Sequence, residues 1–188
     1  MPRIPLQNPE SAPERARPLL AQAIKNNGYL SNLLALLANA PSALEAYLTL
    51  GTLNAKGSLT FEEREVVQLV AATTHGCAFC VAGHSAIATN KLDMVPTQLE
   101  ALRNGTTLDS SRLESLASFT RAVIRHRGRV PDAELRSFHD AGFSDANALD
   151  VVLGVSLATL CNFANNLGAP PLNEQLSAFR WEPAQRTE

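Results

Sequence analysis

Cys77-Ala78-Phe79-Cys80-Val81-Ala82-Gly83-His84 places two thiols and an imidazole within eight residues, and Glu65 stands twelve residues before the first thiol. On a helix advancing about 100° per residue, positions i, i+3 and i+7 share a face. Cys77, Cys80 and His84 have that spacing. Two thiols one turn apart suit a reversible disulfide, and a histidine one turn further on suits the proton traffic that such chemistry needs. Glu65 reaches the group only if its helix folds back on the next one, where it would accept a proton or orient the imidazole. The chemistry that fits is thiol–disulfide redox.

Three other readings of the same residues compete with it. Cysteines three apart on an Ala/Val-rich helix also serve as small buried hydrophobes. Zinc would take both thiols and His84, with His75 or Glu65 as fourth ligand, although structural zinc usually draws on two knuckles and here there is one. A redox-sensing or protein-binding oligomer would keep the site and turn over slowly. Cys161 has no partner at useful spacing and reads as a core thiol. His75 reads as a solvent-facing helix end, and His126 and His139 as solvated surface. Apart from its spacing to Cys77, Glu65 would pass with Glu62 and Glu63 as an ordinary surface acid.

The elements that must position these groups are helical. Hydrophobic residues make up 45% of the 188, with only seven Phe, two Tyr and one Trp, so the core rests on Leu, Ala, Val and Ile. The expected helices run over residues 19–37 with a break at Asn26-Asn27-Gly28, then 43–53, 61–74, 77–90, 92–105, 113–127, 131–141 and 147–166, with a short one near the end. Thr60 and Glu63 form a capping box ahead of the helix that carries Glu65. Gly76 ends that helix and Cys77 opens the next, where the helix dipole would lower a thiol pKa. No strand pair is expected, and the fold class is all-α.

Residues 1–18 hold five of the eleven prolines and read as an extended arm able to pack on a neighbouring copy. Residues 19–182 read as one helical domain and 183–188 as a polar tail. Glu65-Val66-Val67 precedes Cys77 and Cys80 by the steps at which Asp150-Val151-Val152 precedes Asn162 and Asn165, which is compatible with a duplicated unit whose second copy lost its thiols. The net charge of −2 points to no nucleic-acid or anionic-membrane partner. No secretory leader is visible and no run approaches a membrane span, so a cytoplasmic protein is expected. Three cysteines are too few and too odd in number for a secreted disulfide framework.

The pattern Glu65-Val66-Val67, then Gly76-Cys77-Ala78-Phe79-Cys80-Val81-Ala82-Gly83-His84, resembles the AhpD-like alkylhydroperoxidases of the carboxymuconolactone decarboxylase superfamily. The likeness extends from about Pro41, through Gly57-Ser58-Leu59-Thr60, to Asn162–Asn166. It implies an all-α fold, a homo-oligomer (trimer or hexamer), a hydroperoxide substrate, and a dithiol or protein reductant. It implies Cys80 as the attacking thiol, Cys77 as the resolving one, and Glu65 and His84 as the proton relay. Phe79 departs from the family, which carries a histidine there, so the relay is one member short. The decarboxylase branch generally lacks the CxxC pair, which disfavours ring decarboxylation. No haem, flavin or nucleotide motif is present, so no cofactor is expected and the thiols themselves would do the chemistry. Substituting Glu65 or His84 is then expected to lower turnover and leave the melting temperature nearly unchanged.

Overall fold

The computed structural model describes residues 1–182; the tail read at 183–188 lies outside the described residues. Among the described residues nine α-helices follow in order: α1 Arg17–Asn27, α2 Asn32–Leu37, α3 Pro41–Asn54, α4 Phe61–Thr74, α5 Ala78–Leu92, α6 Pro96–Asn104, α7 Ser111–His126, α8 Asp132–Asp140 and α9 Asp145–Gly168. Short 3-10 turns precede α1 and follow α9, and no strand occurs among the described residues. The fold is all-α, as the composition requires.

Helix α4 is the hub. It packs against α5, α7, α9 and α6, and nine of its residues, Glu63 and the run Glu65 to Ala72, are buried. A helix buried on nearly every side must be apolar all round, and Val66, Val67, Leu69 and Val70 supply this. Burying side chains of this size contributes about 1.5–3 kcal/mol each. Its start is fixed by the expected capping box: Thr60 Oγ1 accepts from Glu63 N at 3.2 Å, and Glu63 Oε2 accepts from Thr60 N at 2.8 Å. Glu63 is therefore buried rather than a surface acid, and Arg112 Nη2 meets its other oxygen at 2.9 Å.

The approach of α9 to α4 depends on Gly154. A Cβ at that position would lie 2.9 Å from Val67 Cγ1. The close contact lets the buried Gln68 amide donate to Gly154 O at 3.0 Å. Ser144 caps α9 in a box with Asn147.

The expectation that no run approaches a membrane span needs revising, and the N-terminal arm makes contacts to its own chain. The N-terminal arm lies along its own chain: Arg3 N donates to Gly168 O at 2.8 Å, Gln7 N to Ala35 O at 2.9 Å, and Asn39 Nδ2 to Pro5 O at 2.7 Å. One helix also reaches membrane-spanning dimensions. Helix α9 has 24 residues and a mean hydropathy of 1.5 over its most apolar window. Its buried residues, Val151, Gly154, Leu157, Ala158, Cys161, Asn162, Asn165 and Gly168, lie on a helix packed against α2, α3, α4, α5 and α7, while Leu149, Val152, Phe163 and Leu167 stay exposed, so one side of it belongs to the bundle and the other does not. The segments matched in the internal echo follow different backbone paths: 145–168 is one unbroken helix, whereas 61–92 is broken at residues 75–77.

Candidate active site

The break between α4 and α5 builds the site. Gly76 adopts φ 65°, a left-handed conformation that a Cβ would strain. Cys77 N then donates to Ala72 O at 2.9 Å and Gly76 N to Thr73 O at 3.1 Å, the paired bonds of a Schellman C-cap. Cys77 is also the N-cap of α5, and its carbonyl accepts from Val81 N at 3.0 Å. One residue thus ends α4 and begins α5. The reversal brings α5 back along α4, and His84 Nδ1 meets Glu65 Oε2 at 2.7 Å.

Of the four residues picked from the sequence, Glu65 and His84 meet as a pair, and Cys77 and Cys80 stand at the start of α5. Cys77 and Cys80 are buried free thiols, and Glu65 is buried at 6% exposure. His84 is half-buried. Burial by itself would lower the His84 pKa, but the charge of Glu65 and its hydrogen bond outweigh this, and the value is raised above the ordinary 6.5. Among the described residues no hydrogen bond joins His84 to either thiol. A cavity beside the pair is walled by Cys161 and by neither Cys77 nor Cys80.

That cavity encloses about 190 Å³, and its wall includes Tyr47, Phe61, Arg64, Glu65, Gln68, His84, Leu157 and Cys161. The Tyr47 phenol is held protonated, first by burial and then by the neighbouring Cys161, Cys80 and Glu65. A larger groove of about 830 Å³ between α7 and α8 is lined by Ser115, Ser118, Arg121, Glu134 and neighbours, and holds none of the thiols.

Sequence reasoning missed the contribution of α9. Cys161 Sγ lies 3.9 Å from Cys80 Sγ. Asn165 Nδ2 donates to Cys80 Sγ at 3.2 Å, and Asn162 Nδ2 to Cys161 Sγ at 3.6 Å. His75 is a packed member of this network: its Nδ1 pairs with Asn162 Oδ1 at 3.0 Å and its ring meets Phe163 edge-on. Asn165 Oδ1 is buried without a hydrogen-bond partner. The internal echo did mark 162 and 165 as the positions answering to Cys77 and Cys80, but as relics of lost thiols rather than as groups touching living ones.

Residues 41–111 match the family model described as the carboxymuconolactone decarboxylase family. The match spans less than half of the chain, and the fold is the all-helical AhpD type. The matched segment contains Glu65, Cys77, Cys80 and His84 and stops short of α9. No curated protein matches the chain. Among solved structures, an uncharacterized peroxidase-related protein with an AhpD core from Ralstonia eutropha JMP134 is 22% identical, with TM-score 0.83 over 93% of this chain and 94% of that one. A peroxidase-related protein from Silicibacter sp. TM1040 is 21% identical, with TM-score 0.75 over 89% and 90%. The debrominase Bmp8 is 17% identical, with TM-score 0.74 over 94% and 95%.

At this site the helix-dipole expectation for Cys77 fails. Its thiol is pushed well up, first because it donates to Cys80 and further by burial. Cys80 is also pushed up, first because its thiol donates to Cys161; burial adds to this, while hydrogen bonds from Cys77 and Asn165 act the other way. Cys80 is thus the thiol surrounded by donors, and Cys77 the one that gives its proton away. The zinc arrangement is not assembled: among the described residues no three His, Cys, Asp or Glu side chains converge as metal ligands. Phe79 packs against the core.

Proposed function

We propose that this chain reduces hydroperoxides through a Cys77/Cys80 dithiol–disulfide cycle, with Glu65 and His84 moving the protons. The observation that carries the reading is the 2.7 Å Glu65–His84 pair on the wall of a cavity next to a cluster of free thiols. A peroxidase needs a nucleophilic sulfur, a proton for the departing oxygen and a second sulfur to resolve the oxidised one. Each has a named residue here.

The Cys80 thiol passes its proton to the His84 imidazole, and the resulting thiolate attacks the terminal oxygen of the hydroperoxide. An S–O bond forms, the O–O bond breaks, and the alkoxide takes a proton from the His84 imidazolium held by Glu65. The sulfenic acid left on Cys80 carries a new O–H, and the unpartnered Asn165 Oδ1 beside that sulfur supplies its acceptor. Cys77 then attacks the Cys80 sulfur, giving the disulfide and water, and a dithiol reductant reopens it. Three free cysteines fit a reducing, cytoplasmic setting. Exposed Leu149, Val152, Phe163 and Leu167 on α9 fit a homo-oligomer.

The test is hydroperoxide consumption with a panel of dithiol donors, on the parent and Cys80→Ser together. The reading expects turnover in the parent and none in the variant; equal rates would defeat it. A structure of a debrominase Bmp8 variant that shares this fold holds 2,3,4-tribromopyrrole, which gives a second substrate class to run alongside, a brominated pyrrole whose carbon–bromine bond the same dithiol would reduce. Bromide release without peroxide consumption would move the assignment there.

A further inference from the structure

We infer that Cys161 is a third redox thiol of the site, which forms a disulfide with Cys80 during turnover and passes it on to Cys77. The inference rests on the thiol-peroxidase reading above and assigns a further residue to it. A core cysteine is ordinarily packed among apolar groups. The Cys161 sulfur instead meets Cys80 Sγ at 3.9 Å, the Asn162 amide at 3.6 Å and Ala158 O at 3.3 Å. It also belongs to the cavity wall that contains Glu65 and His84. The two sulfurs are in van der Waals contact across the α5–α9 interface, with no group between them to displace.

The position has a chemical consequence. Once Cys80 is a sulfenic acid, two thiols are within reach of its sulfur, Cys77 from the start of α5 and Cys161 from α9. Attack by Cys161 forms the Cys80–Cys161 bond and breaks the S–O bond. The hydroxide leaves and takes the Cys161 proton, giving water. Attack of Cys77 on the Cys80 sulfur then forms Cys77–Cys80, and Cys161 leaves as a thiol with the proton that Cys77 gives up. No electrons are gained or lost in this second exchange. The oxidising equivalents came from the hydroperoxide, and a dithiol reductant removes them at Cys77–Cys80. Cys161 thereby returns to the reduced state in every cycle and shortens the life of the sulfenic acid, the form open to irreversible oxidation.

Tryptic mapping separates the two disulfides. Cys77 and Cys80 share the peptide 65–91, while Cys161 lies in 137–180. The full chain and Cys77→Ser are treated with one equivalent of cumene hydroperoxide, blocked with iodoacetamide and digested without reductant. In Cys77→Ser, the expected product is 65–91 joined to 137–180, released by dithiothreitol. Recovery of Cys80 as sulfenic or sulfinic acid with Cys161 alkylated would overturn the proposal. The parent gives a reading independent of that variant's folding: at early times the joined peptides should form and then decay into the form of 65–91 lacking two hydrogens. If only the latter ever forms, and Cys161→Ser matches the parent in turnover and in sulfinic acid formed at excess peroxide, the third thiol falls and the dithiol peroxidase stands. If no cysteine of the parent reacts with the hydroperoxide, both fall.

Discussion

Glu65 and His84 sit on consecutive antiparallel helices joined by only His75, Gly76 and Cys77, and their side chains close to 2.7 Å. The turn that places Cys77 is the turn that pairs the carboxylate with the imidazole. Because Glu65 is buried, the pair is more than a proton relay: removing one partner leaves the other without its match in a poorly solvated place. This corrects the expectation that Glu65 and His84 can be changed without cost to folding.

The first prediction concerns pH. The folded pKa of His84 is raised above 6.5. Its pairing therefore stabilises the fold fully below the unfolded value, and this contribution is lost as pH rises through the folded value. The stability difference between the parent and His84→Gln, measured by urea denaturation, should be largest below about pH 6 and shrink steadily on the alkaline side of the ordinary histidine range. A difference that grows with pH would contradict the pairing. An NMR titration of the His84 ring should move to lower pH in Glu65→Gln.

The second prediction separates catalysis from folding at the same pair. Glu65→Gln keeps an acceptor for the imidazole and removes the charge. Turnover should fall by roughly 10²–10⁴-fold, as for loss of a general acid–base partner. Stability should fall by about 1–3 kcal/mol, the scale of a hydrogen bond to a charged group. Denaturant melts and steady-state peroxide consumption on one preparation measure both. A stable variant with parental turnover would remove Glu65 from the mechanism.

The third prediction addresses Asn165, whose amide donates to Cys80 Sγ at 3.2 Å. That bond favours the thiolate. Asn165→Ala should raise the pH at which Cys80 becomes reactive, and slow its alkylation by iodoacetamide near neutral pH about 10-fold or more, given the worth of a charge-assisted hydrogen bond. Alkylation rates against pH, read on peptide 65–91, check it. An unchanged profile would mean that the amide only fills space.

What was legible in the sequence was what lies close in sequence. Periodicity and caps placed the helices because Thr60, Glu63 and Gly76 act within a turn of themselves. The pairing of Glu65 with His84 was readable from its spacing, since a single tight reversal connects their helices. Asn162, Asn165 and Cys161 were not readable as site residues. They reach the thiols only through tertiary packing of α9 on α4, which turns on Gly154 rather than on any local motif. The raised pKa of Cys77 was missed for the same reason. Its helix-start position favours a thiolate, but burial and the hydrogen bond to Cys80 override that local effect.

The fourth prediction follows from that packing. Gly154→Ala puts a methyl 2.9 Å from Val67 Cγ1, and Val67 is fully buried. Overpacking of this kind costs typically about 1–3 kcal/mol. Helix α9 must move away from α4, carrying Cys161 and Asn165 with it. Besides a lower melting temperature, the variant should give less Cys80–Cys161 cross-link relative to Cys77–Cys80, whose spacing is set within α5. A destabilised variant with an unchanged ratio would show that α9 keeps its register by other contacts.

The last prediction concerns the outer face of α9. Leu149, Val152, Phe163 and Leu167 are 71%, 43%, 56% and 58% exposed. Steps of three, eleven and four residues keep them on one side of the helix, opposite the side that holds Cys161 and Asn165. Scattered exposed leucines need no explanation, but an apolar stripe along a 24-residue helix does. A second copy of the same stripe is its natural partner, because a symmetric contact buries both at once. Light scattering at micromolar concentration should give a multiple of the 20.2 kDa chain mass. Leu149→Glu combined with Val152→Glu should shift the mass toward a single chain while circular dichroism stays that of the parent, because neither side chain supports the core. A parent that runs as one chain would overturn the assignment. Parental assembly in the doubly charged variant would move the interface elsewhere on the molecule. Because α9 carries the site on its other side, dissociation should also lower peroxide turnover, with the loss reversed when a stabilised dimer or trimer is restored by covalent linkage of parental chains.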